Sequence, residues 1–286
     1  MLLSVGIIPR GRFSEAEHLA AVGRSAEVAG LARVWLGDRT VYPVHYQSAG
    51  DLGREFPWDI SAPQLEGIVA MTWLLASTER VGVGISVMVI PLRQPVVLAR
   101  QLGSLDHLSG GRVTFGVGIG GVLEEYDAVG IDRHRRGARA DEYLSAMHRL
   151  WTEERPSFSG EFVSFPEIYC NPQPVHPGGL PVWIGGHTEA TYDRVVRFGT
   201  GLAAGSASPD RAVTLLAALR ERADRAGRDP MSVGLLVQAS APDAESLRRL
   251  LAEHREAGVT EAIVPARGRT PTEIADSVAA VPELLD

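Results

Sequence analysis

The sequence predicts a closed (β/α)8 barrel. Short apolar strand-like runs alternate with helical stretches from end to end, eight such pairs can be counted, and 286 residues suit one barrel with insertions. The chain is therefore expected to form a single domain over residues 1–286. A doubly wound open sheet is the competing arrangement of the same alternation.

Leu2–Ile8 reads as the first apolar strand. Ser14-Glu15-Ala16-Glu17 reads as a capping box, opening a helix with Leu19, Val22, Ala26 and Ala29 on one face and Gly30 at its stop. Arg33–Gly37 is a short buried strand and Ala62–Ser77 an apolar helix. Val81–Ile90 is the longest strand candidate, followed by a helix over Pro95–Leu108 with proline in its first turn. Val113–Val117 is the next strand. Ala138–Trp151 places Tyr143, Leu144, Met147, Leu150 and Trp151 on one helical face. In the second half, strands at Pro181–Ile184, Gly201–Ala204, Val233–Ala239 and Glu261–Val264 alternate with further helices. These cover Glu189–Phe198, Pro209 to about Ala226, Ala244–Ala257 and a closing segment opened by Thr270-Pro271-Thr272-Glu273.

Two connections exceed simple turns. Arg39–Ile60 carries Tyr42, His45, Tyr46, Phe56 and Trp58, and follows the second strand, so it belongs to the C-terminal face where such barrels bind ligands. It reads as an aromatic lid. Thr152–Leu180 follows a helix and starts on the opposite face.

Composition removes several classes. A net charge of −7 argues against nucleic-acid binding, and no apolar run is long enough to span a bilayer. No secretion signal is evident at the first residues, and the single cysteine, Cys170, fits a reducing cytoplasm. All 28 basic residues are arginine, which excludes Schiff-base, pyridoxal and P-loop chemistry that needs lysine. No histidine pair has metal-ligand spacing and no G-x-S-x-G elbow occurs. Gly116-Val117-Gly118-Ile119-Gly120-Gly121 is a near miss to the dinucleotide fingerprint, with no acid closing a second strand at the right distance.

One stretch joins several signals. Ile90-Pro91-Leu92-Arg93-Gln94-Pro95, Leu105-Asp106-His107-Leu108-Ser109-Gly110-Gly111-Arg112, and the glycine run 116–121 with Glu124-Glu125-Tyr126 follow one another in order. Arg136 to Trp151, Pro172-Gln173-Pro174 and Val182-Trp183-Ile184-Gly185-Gly186 extend the pattern. Together these motifs resemble the luciferase-like superfamily of flavin and deazaflavin oxidoreductases, in wording closest to its coenzyme F420 branch.

The resemblance implies a role for each matching position. Ser86-Val87 corresponds to a non-prolyl cis peptide behind the cofactor ring. Gly118 and Gly120 would flank that ring, with Glu124 near it or its tail. Gly185-Gly186-His187, ahead of a helix, resembles the phosphate end. Thr200-Gly201 matches a second element there, and Arg194 and Arg197 between them are candidate phosphate partners. Asp38-Arg39 falls where relatives read Asp-His, and Gly121 where they carry a tryptophan or glutamate. These departures remove the family's usual proton donor. Acid/base work would then fall to Asp38, Arg39, His45, Tyr46 or Glu124, with His45, Tyr46 and Trp58 as substrate contacts.

The resemblance thus implies an F420-dependent oxidoreductase exchanging hydride with a small organic molecule. An FMN-dependent monooxygenase using oxygen is the first alternative. A flavin-binding homologue without redox turnover is the second. No metal, nucleic acid or membrane partner is expected, and a homodimer is compatible with the apolar helices.

Overall fold

The computed structural model describes residues 1–45, 56 and 58–285. In chain order the elements begin with β1 (Leu2–Ile7), α1 (Ala16–Val28), β2 (Arg33–Leu36), α2 (Gly67–Ala76), β3 (Gly82–Val89), α3 (Pro95–Ser109) and β4 (Val113–Gly118). A short α4 (Glu124–Ala128) and a long α5 (Arg136–Thr152) precede a small hairpin of β5 (Phe158–Ser159) and β6 (Ser164–Phe165). The chain ends with β7 (Val182–Gly185), α6 (Glu189–Phe198), β8 (Gly201–Ala203), α7 (Pro209–Arg225), β9 (Gly234–Gln238), α8 (Ala244–Glu256), β10 (Glu261–Pro265) and α9 (Pro271–Ala279). Leaving out the hairpin, the strands close in the order β1-β10-β9-β8-β7-β4-β3-β2, every pair parallel. The closed barrel is the expected fold, and the open sheet is excluded.

Strand alternation splits the apolar residues into two clusters. Val5, Val34, Val83, Phe115, Ile184 and Leu235 face outward and join the helix residues Leu19, Leu74, Leu98, Leu144 and Leu251. A separate cluster of Trp35, Trp183, Ala203, Leu236 and Ile263 fills the barrel, with Val87 packed against it. The two tryptophans fit because their strand neighbours lack side chains. Trp35 stands in register with Gly84, where an added Cβ would lie 2.6 Å from the indole. Trp183 stands beside Gly201, where it would lie 2.5 Å away.

Local caps follow the sequence in most helices. Ser208 accepts from the Arg211 amide, Asp243 from Ser246 and Thr270 from Glu273. Two expectations need correction. The first helix has no capping box: Ser14 lies in a 3-10 turn and its hydroxyl donates to the Gly11 carbonyl at 2.6 Å, while Glu15 occupies the cap without a side-chain bond. The helix expected from Ala62 starts at Gly67, with Glu66 as its cap. The backbone before it is already used: Pro63 accepts from the Gly11 amide, the Leu65 amide donates to Pro9, and Gln64 bridges Arg10. The segment is therefore bound to the loop after β1 and cannot also form a helical turn.

Candidate active site

The C-terminal ends of the strands open into a cavity of about 910 Å³. Its walls come from the ends of β1 (Ile7, Ile8, Arg10), β2 (Leu36 to Arg39), β3 (Ser86), β9 (Gln238 to Ser240) and β10 (Pro265, Ala266), with Tyr42, Trp58 and Gln64 at the rim. This is the face on which (β/α)8 proteins place their ligands, and the volume suits a cofactor-sized molecule.

The wall at β3 is shaped by backbone. The Ser86–Val87 peptide is cis, as the resemblance implies, and the β3–β4 register shifts between Ile85 and Met88. Val87 sits between two glycines. A Cβ on Gly118 would come 2.6 Å from one Val87 methyl, and a Cβ on Gly185 would come 3.0 Å from the other. Val87 thus fills the space that side chains on Gly118 and Gly185 would take, and of these four residues Ser86 lines the cavity. Gly120 has φ +69° and lies beside Val89, and Gly186 has φ +132° against the Thr191 hydroxyl. His187 precedes α6, whose cap Thr188 accepts from the Thr191 amide. Glu124 opens α4. None of these four lines the cavity.

Asp38 is placed differently from expectation. Its side chain is fully buried, accepting from Arg93 at 2.9 and 3.2 Å and from the Gly67 amide at 3.2 Å. Burial pushes its carboxyl above the ordinary range, against the pull of the Arg93 charge. With both oxygens occupied, Asp38 anchors Arg93 and the start of α2 and offers no proton to the cavity. Arg39 does line the cavity, and its Nη1 donates to Glu125 at 2.9 Å. Glu125 is only 2% exposed. It also accepts from the Thr40 amide at 2.9 Å and the Val41 amide at 3.4 Å, so it fixes the first residues of the lid.

The described part of the lid is an aromatic and cationic stack. Tyr42 and Phe56 meet edge-on at 5.1 Å, Phe56 and Trp58 lie 5.9 Å apart, and the Arg39 guanidinium sits 5.0 Å from the Phe56 ring. Trp58 therefore reaches the cavity as expected. His45 is exposed and does not line it, and Tyr46 lies outside the described residues.

Thr200 and Gly201 belong to the other end of the barrel. The Thr200 amide bonds the Val182 carbonyl and its hydroxyl accepts from the Val182 amide at 3.1 Å, both at the N-terminal edge of β7. They seat Trp183 and cannot reach a ligand at the mouth. Arg194 is also structural, with Nε and Nη2 on Asp141 at 2.6 and 3.3 Å. Sequence reading missed Arg10, Gln64, Gln238 and Ser240. Each follows or faces the C-terminal end of a strand, and that position was the available signal.

A closed parallel barrel with a cavity at its C-terminal mouth defines a (β/α)8 enzyme. Residues 8–279 match the family model for luciferase-like monooxygenases, and the chain belongs to this family of oxidoreductases. An uncharacterized protein of Mycobacterium tuberculosis is 33% identical over 273 residues, covering 93% of this chain and 92% of that protein. The F420-dependent glucose-6-phosphate dehydrogenase of Kineococcus radiotolerans is 33% identical over 217 residues, 73% of this chain and 59% of that enzyme. Among solved structures, an F420-dependent secondary alcohol dehydrogenase in complex with an F420-acetone adduct aligns with a TM-score of 0.79 at 16% identity. The alignment covers 100% of this chain and 99% of that one, and shows a shared fold.

Proposed function

We propose that this chain is an F420-dependent oxidoreductase acting on a small organic substrate. The observation that carries the reading is the cavity at the C-terminal mouth, with Ser86 on its wall next to Val87 between Gly118 and Gly185, which we read as the cradle of a flat ring. The similarity to an F420-dependent dehydrogenase over 73% of the chain supports the choice of cofactor. When bound, a deazaflavin would supply hydride transfer, and the protein supplies position and electrostatics. Ser86, Val87, Gly118 and Gly185 would hold the ring, and Gly186 and His187 ahead of α6 its phosphate. Arg39, clamped by Glu125, provides a fixed positive charge rather than a transferable proton. Tyr42, Phe56 and Trp58 cover the cavity and exclude water. Burial raises the Tyr42 hydroxyl above its ordinary range, so it stays protonated and donates to Gln64.

An FMN-dependent monooxygenase is the second reading, favoured by the family's description. Separate titrations of the purified protein with F420 and with FMN divide the two. Micromolar F420 binding without FMN binding is expected. The reverse establishes the second reading, and binding of neither overturns both. The proposal includes a cytoplasmic location, supported by the lone Cys170, and a homodimer, supported by Val69, Trp73 and Val97 exposed on α2 and α3.

A further inference from the structure

We infer that the mouth cavity takes a substrate carrying an oxyanion, a carboxylate or a phosphate, held on the Nε–Nη2 edge of Arg10. The inference rests on the reading of this cavity as the active-site mouth. The Nε and Nη2 hydrogens of arginine point the same way and match the two oxygens of an oxyanion. Three other arginines place that edge on carboxylates. Arg194 puts Nε and Nη2 on Asp141 at 2.6 and 3.3 Å, and Arg149 puts them on Glu153 at 2.6 and 2.9 Å. Arg222 spreads the same two atoms over Asp193 and Glu189.

Arg10 differs. It lines the cavity, and both Nε and Nη2 are buried without a hydrogen-bond partner. A buried donor left unsatisfied costs about 1–3 kcal/mol, more when it is charged. Among the described residues the nearby acids are committed elsewhere: Asp38 to Arg93 and the Gly67 amide, Glu125 to Arg39 and two amides of the following loop. Asp59 feels the Arg10 charge, yet it is exposed and its Oδ1 accepts from the Ser61 amide and hydroxyl.

The guanidinium is also held in place. It stands 5.3 Å from the Tyr42 ring, Tyr42 donates to Gln64, and the Arg10 backbone bridges Gln64. An oxyanion is the group that satisfies such a planar cationic edge.

The test is thermal unfolding of the cofactor-free protein with inorganic phosphate or with acetate at constant ionic strength, alongside F420 titration of the same variants. One or both anions should raise the wild-type melting temperature, and which one does so identifies the group. Arg10→Gln should weaken that anion by about tenfold or more, and Arg10→Lys, which keeps charge without the planar edge, by less. Arg24→Gln, an equal charge loss on the α1 surface, should bind like wild type. F420 affinity should be the same in wild type and Arg10→Gln. No stabilisation by either anion, or equal stabilisation of Arg10→Gln, overturns the inference. Loss of F420 binding in Arg10→Gln also overturns it, because Arg10 would then hold the cofactor. Anion binding that depends on Arg10, in a protein that binds no F420, upholds the inference while the cofactor reading fails.

Discussion

At the floor of the barrel, Glu261 at the start of β10 accepts from Ser4 at 2.5 Å, Arg33 at 2.5 Å and Trp35 Nε1 at 2.7 Å, and has no exposed surface. At the mouth, the Asp38 and Glu125 side chains are also buried and also paired with arginine, but Asp38 and the Arg39 partner of Glu125 line a cavity of about 910 Å³. Both ends therefore hold carboxylates in arginine clusters. At the floor Ser4, Arg33 and Trp35 all donate to Glu261, which ties β1, β2 and β10 into closure. The mouth leaves donors over, on Arg10. A buried charge cluster is thus no mark of a site by itself. Surplus hydrogen-bonding capacity beside a cavity is the distinguishing feature.

The largest effect should come from breaking the floor. Glu261→Ala leaves Arg33, Trp35 and Ser4 without their acceptor, and unpairing a buried ion costs about 3–5 kcal/mol. Urea unfolding should show that loss, with F420 affinity of the folded fraction unchanged. Near-native stability with lost cofactor binding would erase the contrast between the two ends.

A smaller effect, of mixed kind, is expected at the cradle. Gly118→Ala places a methyl 2.6 Å from Val87, an overpacking that costs about 1–3 kcal/mol. Here F420 binding should weaken along with stability, because Val87 must shift. If stability drops and F420 binds as before, the cradle is ordinary core.

The smallest effect belongs to neither end. His254 on α8 is 1% exposed, and burial holds its imidazole below the ordinary range. The unfolded chain therefore takes up its proton first as pH falls. The stability from neutral His254 is complete above the unfolded value near 6.5 and declines below it. Melting temperatures at pH 7.5 and 5.5 should differ less in His254→Leu than in wild type. An unchanged difference would show that His254 does not set the acid side.

Which groups the sequence could place depends on how local their cause is. The strand ends at Leu36 and Val89, the Gly30 stop and the Thr270 cap depend on residues within one turn of one another, and periodicity and cap chemistry report them directly. Cap reading failed at Ser14, where a 3-10 turn competed for the hydroxyl. It failed at Ala62, where a distant loop had already taken the backbone.

The sequence alone determined the barrel, through alternation sustained over the whole chain. By resemblance it also led to the cis bond at Ser86–Val87 and to the glycines on either side of Val87. Only the tertiary structure decided what the charged residues do. Arg39 meets Glu125 across 86 positions, Arg93 meets Asp38 across 55, and Arg33 meets Glu261 across 228. No local pattern encodes such pairs, because they exist only once the strands are in register and the first closes on the last. The same closure sends Thr200 and Gly201 to the floor and leaves the Arg10 edge unpaired at the mouth.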